Sequence, residues 1–440
     1  VMSLWRQPER RQLQPLRFNS LGKSEENLCR FAAADAVGEA QKFIKFLFIL
    51  KVCLSLTTHE AAADPKSRVI EIAGLGAKSG PIRSSGINSE AVLLAARDRI
   101  NAKGIRLADG SRAIFKVTYY DSACNVEKAT TSLKKIADTQ ALAIIGPTCS
   151  HEAEAMFGAL QKKTADAQDS GIRIPVLVDT AIKPGLARMS EWAFRNVPNE
   201  DDMYQQLFVW IKATYPQMKT AAAGFEGDHG HSKGTYLEVI KKHLLKEGYE
   251  LQSEVQWNMT DTNFTTQVRK TIEKNPDMII VSAHDTSTCG FLHELAKQNY
   301  KPKLLLGLTS SAKTDLLKAC GREADGIVIP TSFYPVTPDA RLAIETSERY
   351  KGSVDLHSAA AWENLEIIKR VIQESTITGK PEDLISDRQK LREGLSKLRS
   401  TKGLLGIIKR TQDREAIKPY FFVQAQESEW VVRHNPNRKE

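Results

Sequence analysis

From Arg68 to the C-terminus, short apolar runs alternate with longer amphipathic segments, and few ways of folding a chain satisfy that pattern. Apolar runs of this length, bounded by polar turns, read as buried strands, and the segments between them carry apolar residues at helical spacing. Strands are expected at Val69–Leu75, Ala113–Tyr119, Ala141–Ile145, Ile174–Val178, Thr220–Phe225, Leu251–Val255, Met278–Ser282, Lys303–Leu306, Gly326–Ile329 and Tyr420–Gln424. The intervening helices are expected at Ser89–Asn101, Asn125–Thr139, His151–Ala167, Asp202–Thr214, Lys233–Glu247, Thr262–Lys274, Thr288–Asn299, Ala340–Tyr350, Ala359–Ser375 and Ser386–Leu398. Strand–helix alternation predicts an α/β fold, with doubly wound parallel sheets covered by helices on both faces. Ten strands exceed one small sheet, so two sheets of about five strands each are expected. Two polar, proline-bearing stretches, Phe194–Asp202 and Pro330–Pro335, are candidate crossings between them.

In sheets of this kind ligands sit beyond the carboxyl ends of the strands, so the loops that follow strands are where chemistry is sought. The first strand runs into Gly74-Leu75-Gly76-Ala77-Lys78-Ser79-Gly80-Pro81. A dinucleotide fingerprint needs glycine where Ser79 stands, and a phosphate loop needs glycine where Ala77 stands, so both nucleotide readings fail. A turn lining a cleft is the better account. Ile144-Ile145-Gly146-Pro147-Thr148-Cys149-Ser150-His151 carries a buried strand through a tight turn into a helix. Ser150 stands where that helix starts, beside backbone N–H groups and a helix dipole suited to a carboxylate. It also stands where a serine would cap its own helix, and the residues alone leave both roles open.

His229 and His231, in Glu226-Gly227-Asp228-His229-Gly230-His231, follow another strand. Two histidines near carboxylates suit a metal, but no third ligand follows at helical spacing, and the chain has no HExxH or G-x-S-x-G motif. A glycine-spaced polar loop at a cleft mouth is the reading taken, with no metal and no cofactor assigned.

The 440 residues carry a formal charge of +9. The first 63 hold nine Lys/Arg against six Asp/Glu, which leaves +6 spread along the rest, with no basic stripe to bind nucleic acid. The segment that begins at Lys42, KFIKFLFILKVCLSLTTHEAAAD, has Lys42 and Lys45 leading into a short apolar run, with Lys51 inside that run, and Ala61-Ala62-Ala63 before Asp64. That is a secretory signal pattern, expected over 42–63, with 1–41 as an extension without periodicity. Of the six cysteines, Cys124, Cys149, Cys289 and Cys320 follow the signal, and an even number in an exported chain suggests disulfides.

From about Arg68 onward the chain resembles the type I periplasmic binding proteins of the branched-chain amino-acid class. The matching pieces are Ser79-Gly80-Pro81 with Gly86, Arg99-Ile100-Asn101-Ala102-Lys103-Gly104, Tyr120-Asp121-Ser122-Ala123-Cys124-Asn125 and the turn from Gly146 to Ser150. Trp192-Ala193-Phe194-Arg195, Thr262-Asn263-Phe264 and Asn275-Pro276-Asp277 continue them in order. The resemblance implies two lobes joined by three crossings, here 64–198 with 333–410 and 199–332 with 411–440. It implies a small carboxylate-bearing ligand (a branched-chain or other amino acid, an amide or an aromatic acid) captured in the cleft of a periplasmic monomer. Delivery to an ABC permease in the inner membrane follows from the same likeness, with no catalysis.

The resemblance also implies a disulfide between Cys124 and Cys149, and offers less support for one between Cys289 and Cys320. Ser150 matches the serine that binds the ligand carboxylate, with Cys149 beside it. Thr180 and Ile182 fall where a backbone carbonyl and a threonine hold the amino acid, and Ile182 removes that hydroxyl. His284 falls near an aromatic of the second lobe, His231 near a tyrosine of the hinge-side loop, and Ser85 replaces a bulky cleft aromatic. Thr309 falls where an acidic residue pairs with the ligand ammonium, so Asp285, Asp179 or Glu226 must substitute or the ligand is not a plain α-amino acid. A ligand-sensing module of a receptor, or a metal-dependent hydrolase built on His229 and His231, are the alternative functions.

Overall fold

A computed structural model of the chain describes residues 67–183 and 185–435. The expected signal segment and N-terminal extension lie outside the described residues. The first sheet is built from β1 (Arg68–Gly76), β2 (Ile105–Arg106), β3 (Arg112–Asp121), β4 (Ala141–Ile145), β5 (Val176–Val178) and β6 (Ala193–Arg195). Its order is β2-β3-β1-β4-β5-β6, parallel except for β2. Both faces of β1 are buried because its apolar residues alternate. Ile70 and Ile72 pack under α1 (Arg83–Asn101) and α11 (Leu356–Gln373), while Ala73 and Leu75 pack under α2 (Val126–Ala137) and α3 (Ser150–Ala159).

The second sheet holds β7 (Thr220–Glu226), β8 (Glu250–Trp257), β9 (Met278–Ser282), β10 (Leu304–Gly307), β11 (Ile327–Thr331), β15 (Phe421–Gln426) and β16 (Glu429–His434), in the order β16-β15-β11-β10-β9-β7-β8. Again the strands alternate: Ile279 and Val281 enter one core, Met278 and Ile280 the other. Helices α4 (Glu200–Thr214), α5 (Gly230–Gly234), α6 (Lys241–Lys246), α7 (Thr265–Ile272), α8 (Asp285–Lys297) and α9 (Thr314–Cys320) cover this lobe, with a π-helical turn, Thr235–Ile240, joining α5 to α6. Helices α10 (Pro338–Ser347) and α12 (Leu384–Lys397) pack with the first lobe, as α11 does.

The chain passes between the lobes three times, after β6, after β11 and after a small sheet of β12 (Ser400–Gly403), β13 (Gly406–Arg410) and β14 (Ala416–Ile417). The third passage, Lys418–Tyr420, comes later than a boundary after residue 410. Thr411–Ile417 stays with the first lobe because Arg195 N donates to Arg414 O (3.1 Å) and the Arg414 side chain donates to Ala193 O (3.1 Å). A second departure is the helix expected over His151–Ala167, which ends at Ala159. Beyond it Asp169 accepts from the N–H groups of Lys162, Lys163 and Gly171, so a carboxylate satisfies backbone that a continuing helix would have paired. Both disulfides form, Cys124 to Cys149 and Cys289 to Cys320. Among the described residues, no helix is long and apolar enough to cross a membrane.

Candidate ligand cleft

The carboxyl ends of both sheets face a common cleft. On the first lobe, Asp121 at the end of β3 accepts from the backbone N–H of Lys78, Ser79 and Ala123 and from the Ser79 hydroxyl, which pins the loop after β1. Gly86 lets α1 start against that loop: a Cβ there would stand 2.2 Å from the Ala77 carbonyl oxygen. Ser85 is thereby presented to the cleft from the first turn of α1.

The turn after β4 needs its glycine as well. Gly146 has φ of 127°, and a Cβ would meet the Leu75 carbonyl oxygen at 2.0 Å. Thr148 then accepts from Ala77 N (2.9 Å), and Cys149 takes the N-cap position of α3, where Glu152 accepts from its N–H at 3.1 Å. Ser150 is therefore the first helical residue and not the cap. Its hydroxyl accepts from Lys183 N at 3.2 Å, which joins the α3 terminus to the loop after β5. On that loop Thr180 donates to Asp179 (3.0 Å), and the Ile182 carbonyl accepts from the Arg195 guanidinium (2.7 Å). Burial raises the Asp179 carboxyl to about 7.

The second lobe contributes histidines. Glu226, fully buried at the end of β7, accepts from His284 Nδ1 at 2.6 Å, from His284 N, and from the hydroxyls of Ser232 and Ser287. Burial opposes its ionisation, but His284 and the two hydroxyls hold its pKa well below the usual carboxylate range. His229 stands edge-on to His284, ring centres 4.5 Å apart, and neither of its buried ring nitrogens has a hydrogen-bond partner. Burial, with His284 and His231 nearby, drives its proton affinity far down. His231 pairs instead with Glu200 (3.0 Å), which also accepts from Thr235. The two histidines of the H-x-H loop thus diverge, His231 to the Glu200 carboxylate and His229 to the His284 ring.

Ser85, Cys149, Ser150, Thr180, Ile182, His231 and His284 surround one cavity of about 20 Å³. Thr309 stands behind them, fully buried, with its hydroxyl donating to Glu200. An outer cleft of about 850 Å³ continues to the surface past Asp285 and Lys313, which pair at 2.8 Å. The lobes touch across it: Lys313 Nζ reaches Ser84 Oγ (3.3 Å), and Met259 packs on Ile82 and the Cys124–Cys149 bridge. The inner cavity has room for little more than one water molecule, so a solute reaches it only when the lobes part.

The sequence of residues 69–429 matches the family model described as periplasmic binding protein. The chain belongs to the periplasmic binding protein family. Solved structures of this family superpose over most of its length. The leucine-binding protein LivK of Thermotoga maritima is 17% identical with a TM-score of 0.70, covering 84% of this chain and 99% of its own. LivJ of Streptococcus pneumoniae, in complex with isoleucine, is 16% identical with a TM-score of 0.70, covering 83% and 99%. A Rhodopseudomonas palustris solute-binding protein in complex with benzoate is 16% identical with a TM-score of 0.69, covering 83% and 96%.

In this periplasmic binding protein the cleft also contains residues that local patterns did not single out. His357, the second residue of α11, reaches the same cavity from the first lobe, and its Nδ1 is buried without a partner. Burial, together with His231 and Lys313, lowers its proton affinity. Glu200, the first residue of α4, anchors His231 and Thr309. Its position at a helix start was the sole sequence signal available, and acidic residues are common there.

Proposed function

We propose that this chain is the periplasmic solute-binding protein of an ABC importer, acting as a monomer that captures a small carboxylate-bearing molecule between its lobes and hands it to a permease without altering it. The observation that carries this reading is the position of Ser150. It begins a ten-residue helix whose first N–H groups point toward the cavity end, and it is freed from capping by Cys149 and Glu152. Backbone donors and a helix dipole at that point suit an anion.

Among the described residues, the carboxylates nearest the cavity on the opposite wall are already engaged, Asp285 by Lys313. Glu226 is taken by His284, Ser232 and Ser287, and Glu200 by His231, Thr235 and Thr309. Imidazoles face the cavity in their place. The proposed ligand is accordingly an organic acid, aliphatic or aromatic, in preference to a free α-amino acid. The relatives bound to benzoate and to isoleucine span both classes. Roles assigned to Thr180, Ile182 and Ser85 are contact roles: they shape the first-lobe wall, while Thr309 acts through Glu200. Binding would occur in an opened form, with closure by rotation at the three crossings.

A thermal-shift screen of residues 64–440 against amino acids, amides and organic acids tests the reading, since a ligand of the folded state raises Tm by mass action. Shifts confined to acids without an amine support it. Shifts by leucine, isoleucine or valine overturn the ligand class, and no shift across the panel overturns solute capture.

A further inference from the structure

Three donor side chains meet on the second-lobe wall in a way the solute-binding role does not require. Glu226, His229 and His284 each bring a ligand atom within 4.8 Å of the other two. Glu226 ends β7, and His229 and His284 lie in the loops after β7 and β9, neighbouring parallel strands of the sheet. We infer that Glu226, His229 and His284 form a binding site for a first-row divalent transition-metal ion such as zinc.

The set is chemically apt. Two imidazoles and one carboxylate are a recognised zinc ligand set, and three protein donors leave the coordination shell incomplete. The carboxylate is supported as metal-binding carboxylates are, by hydroxyls of Ser232 and Ser287 that fix its orientation. The second, independent observation is His229. Both of its ring nitrogens are buried and neither finds a hydrogen-bond partner among the described residues. An orphaned buried imidazole is costly to keep, and a metal ion removes the cost by taking one nitrogen as a ligand. Binding requires one rearrangement, in which Glu226 and His284 exchange their mutual 2.6 Å hydrogen bond for bonds to the ion.

A neighbouring group competes for His229 on paper. Cys124 and Cys149 also lie within 4.8 Å of it, but their sulfurs are joined in a disulfide and offer no thiolate. His231 is drawn away by Glu200. If the cleft receives an organic acid, as proposed above, the ligand carboxylate would complete the incomplete shell, and that clause alone depends on the functional reading.

The test is titration of the chelator-treated, oxidised chain with Zn²⁺ by calorimetry and with Co²⁺ by visible absorption, in the absence of any organic ligand. One ion per chain is expected, with a Co²⁺ spectrum of low coordination number. Affinity should fall on the order of 100-fold or more in His229→Ala, at least the loss seen when outer-shell partners are removed. Glu226→Gln should lose as much, and His293→Ala, an exposed histidine outside the cleft, should not change. The His229 side chain makes no hydrogen bond, so its variant is expected to fold, and a melting curve checks this. Absence of stoichiometric binding, equal affinity in His229→Ala, or binding that appears only after the disulfide is reduced would each overturn the inference. None of these outcomes bears on whether acids shift Tm in the presence of chelator, so the two proposals fail separately.

Discussion

The Lys418 ammonium donates to the Glu363 carboxylate at 2.6 Å, and both side chains are almost completely buried where the chain passes between the lobes. Glu363 lies on α11 of the first lobe, whereas Lys418 opens the third passage. The same carboxylate accepts from Asn196, at the first passage, and from Leu404 N, beside the small sheet. One carboxylate thus ties two of the three crossings to a rigid helix. Removing one partner of a buried pair leaves the other charge without compensation. Glu363→Ala should therefore lower stability by about 3–5 kcal/mol in urea unfolding. The double variant Glu363→Leu with Lys418→Met should recover most of that loss, because neither member of the pair is left buried without the other.

Ser150 separates ligand binding from helix stability. Since Cys149 and Glu152 cap α3, Ser150→Ala should leave Tm nearly unchanged while weakening carboxylate binding by about 1–3 kcal/mol, measured calorimetrically. A large fall in Tm with unchanged affinity would mean that the hydroxyl serves only to hold Lys183 N.

Asp179 makes the stability of the first lobe depend on pH. Its carboxyl is raised to about 7, chiefly by burial, with Asp355 adding repulsion and a hydrogen bond from Thr180 opposing the rise. The unfolded chain ionises this group near pH 4. Between about pH 4 and 7 the unfolded state therefore binds fewer protons than the folded state, and the contribution of this group falls as pH rises. Asp179→Asn should remove that loss. Its advantage in urea unfolding should be absent near pH 4 and grow to about 2–4 kcal/mol by pH 7.5.

The bridge between Cys289 and Cys320 closes a loop between residues 31 apart, wholly within the second lobe, and neither cysteine lines the cleft. Replacing both cysteines with serine should cost about 2–4 kcal/mol of stability without changing ligand affinity. A change in affinity would show that α8 and α9, which carry the two cysteines, transmit strain to His284 and Lys313 at their N-terminal ends.

The architecture was legible because its signals are local. Period-two burial in Ile70–Leu75 and Met278–Val281, and helical spacing between the strands, are properties of short windows, so the two sheets and their alternation could be read in advance. The short strands β6 and β12 to β14 were not, since two to five residues carry too little pattern to distinguish a strand from a loop. In the cleft, Ser150 and the Gly146 turn stood out for the same local reason, a strand leading directly into a helix.

What the amino-acid sequence determined by itself was where strands end, and hence which loops could line a site. Only the tertiary structure decided what those loops do together. Glu200 meets Thr309, His357 joins His231, and His229 meets Glu226 with His284 instead of acting with His231. Apart from Glu226 and His229, which are three positions apart, these contacts join residues separated by tens to more than a hundred positions. Side-chain pairing across such distances depends on sheet order and on the angle at which two lobes meet, and neither leaves a trace in any short window of sequence.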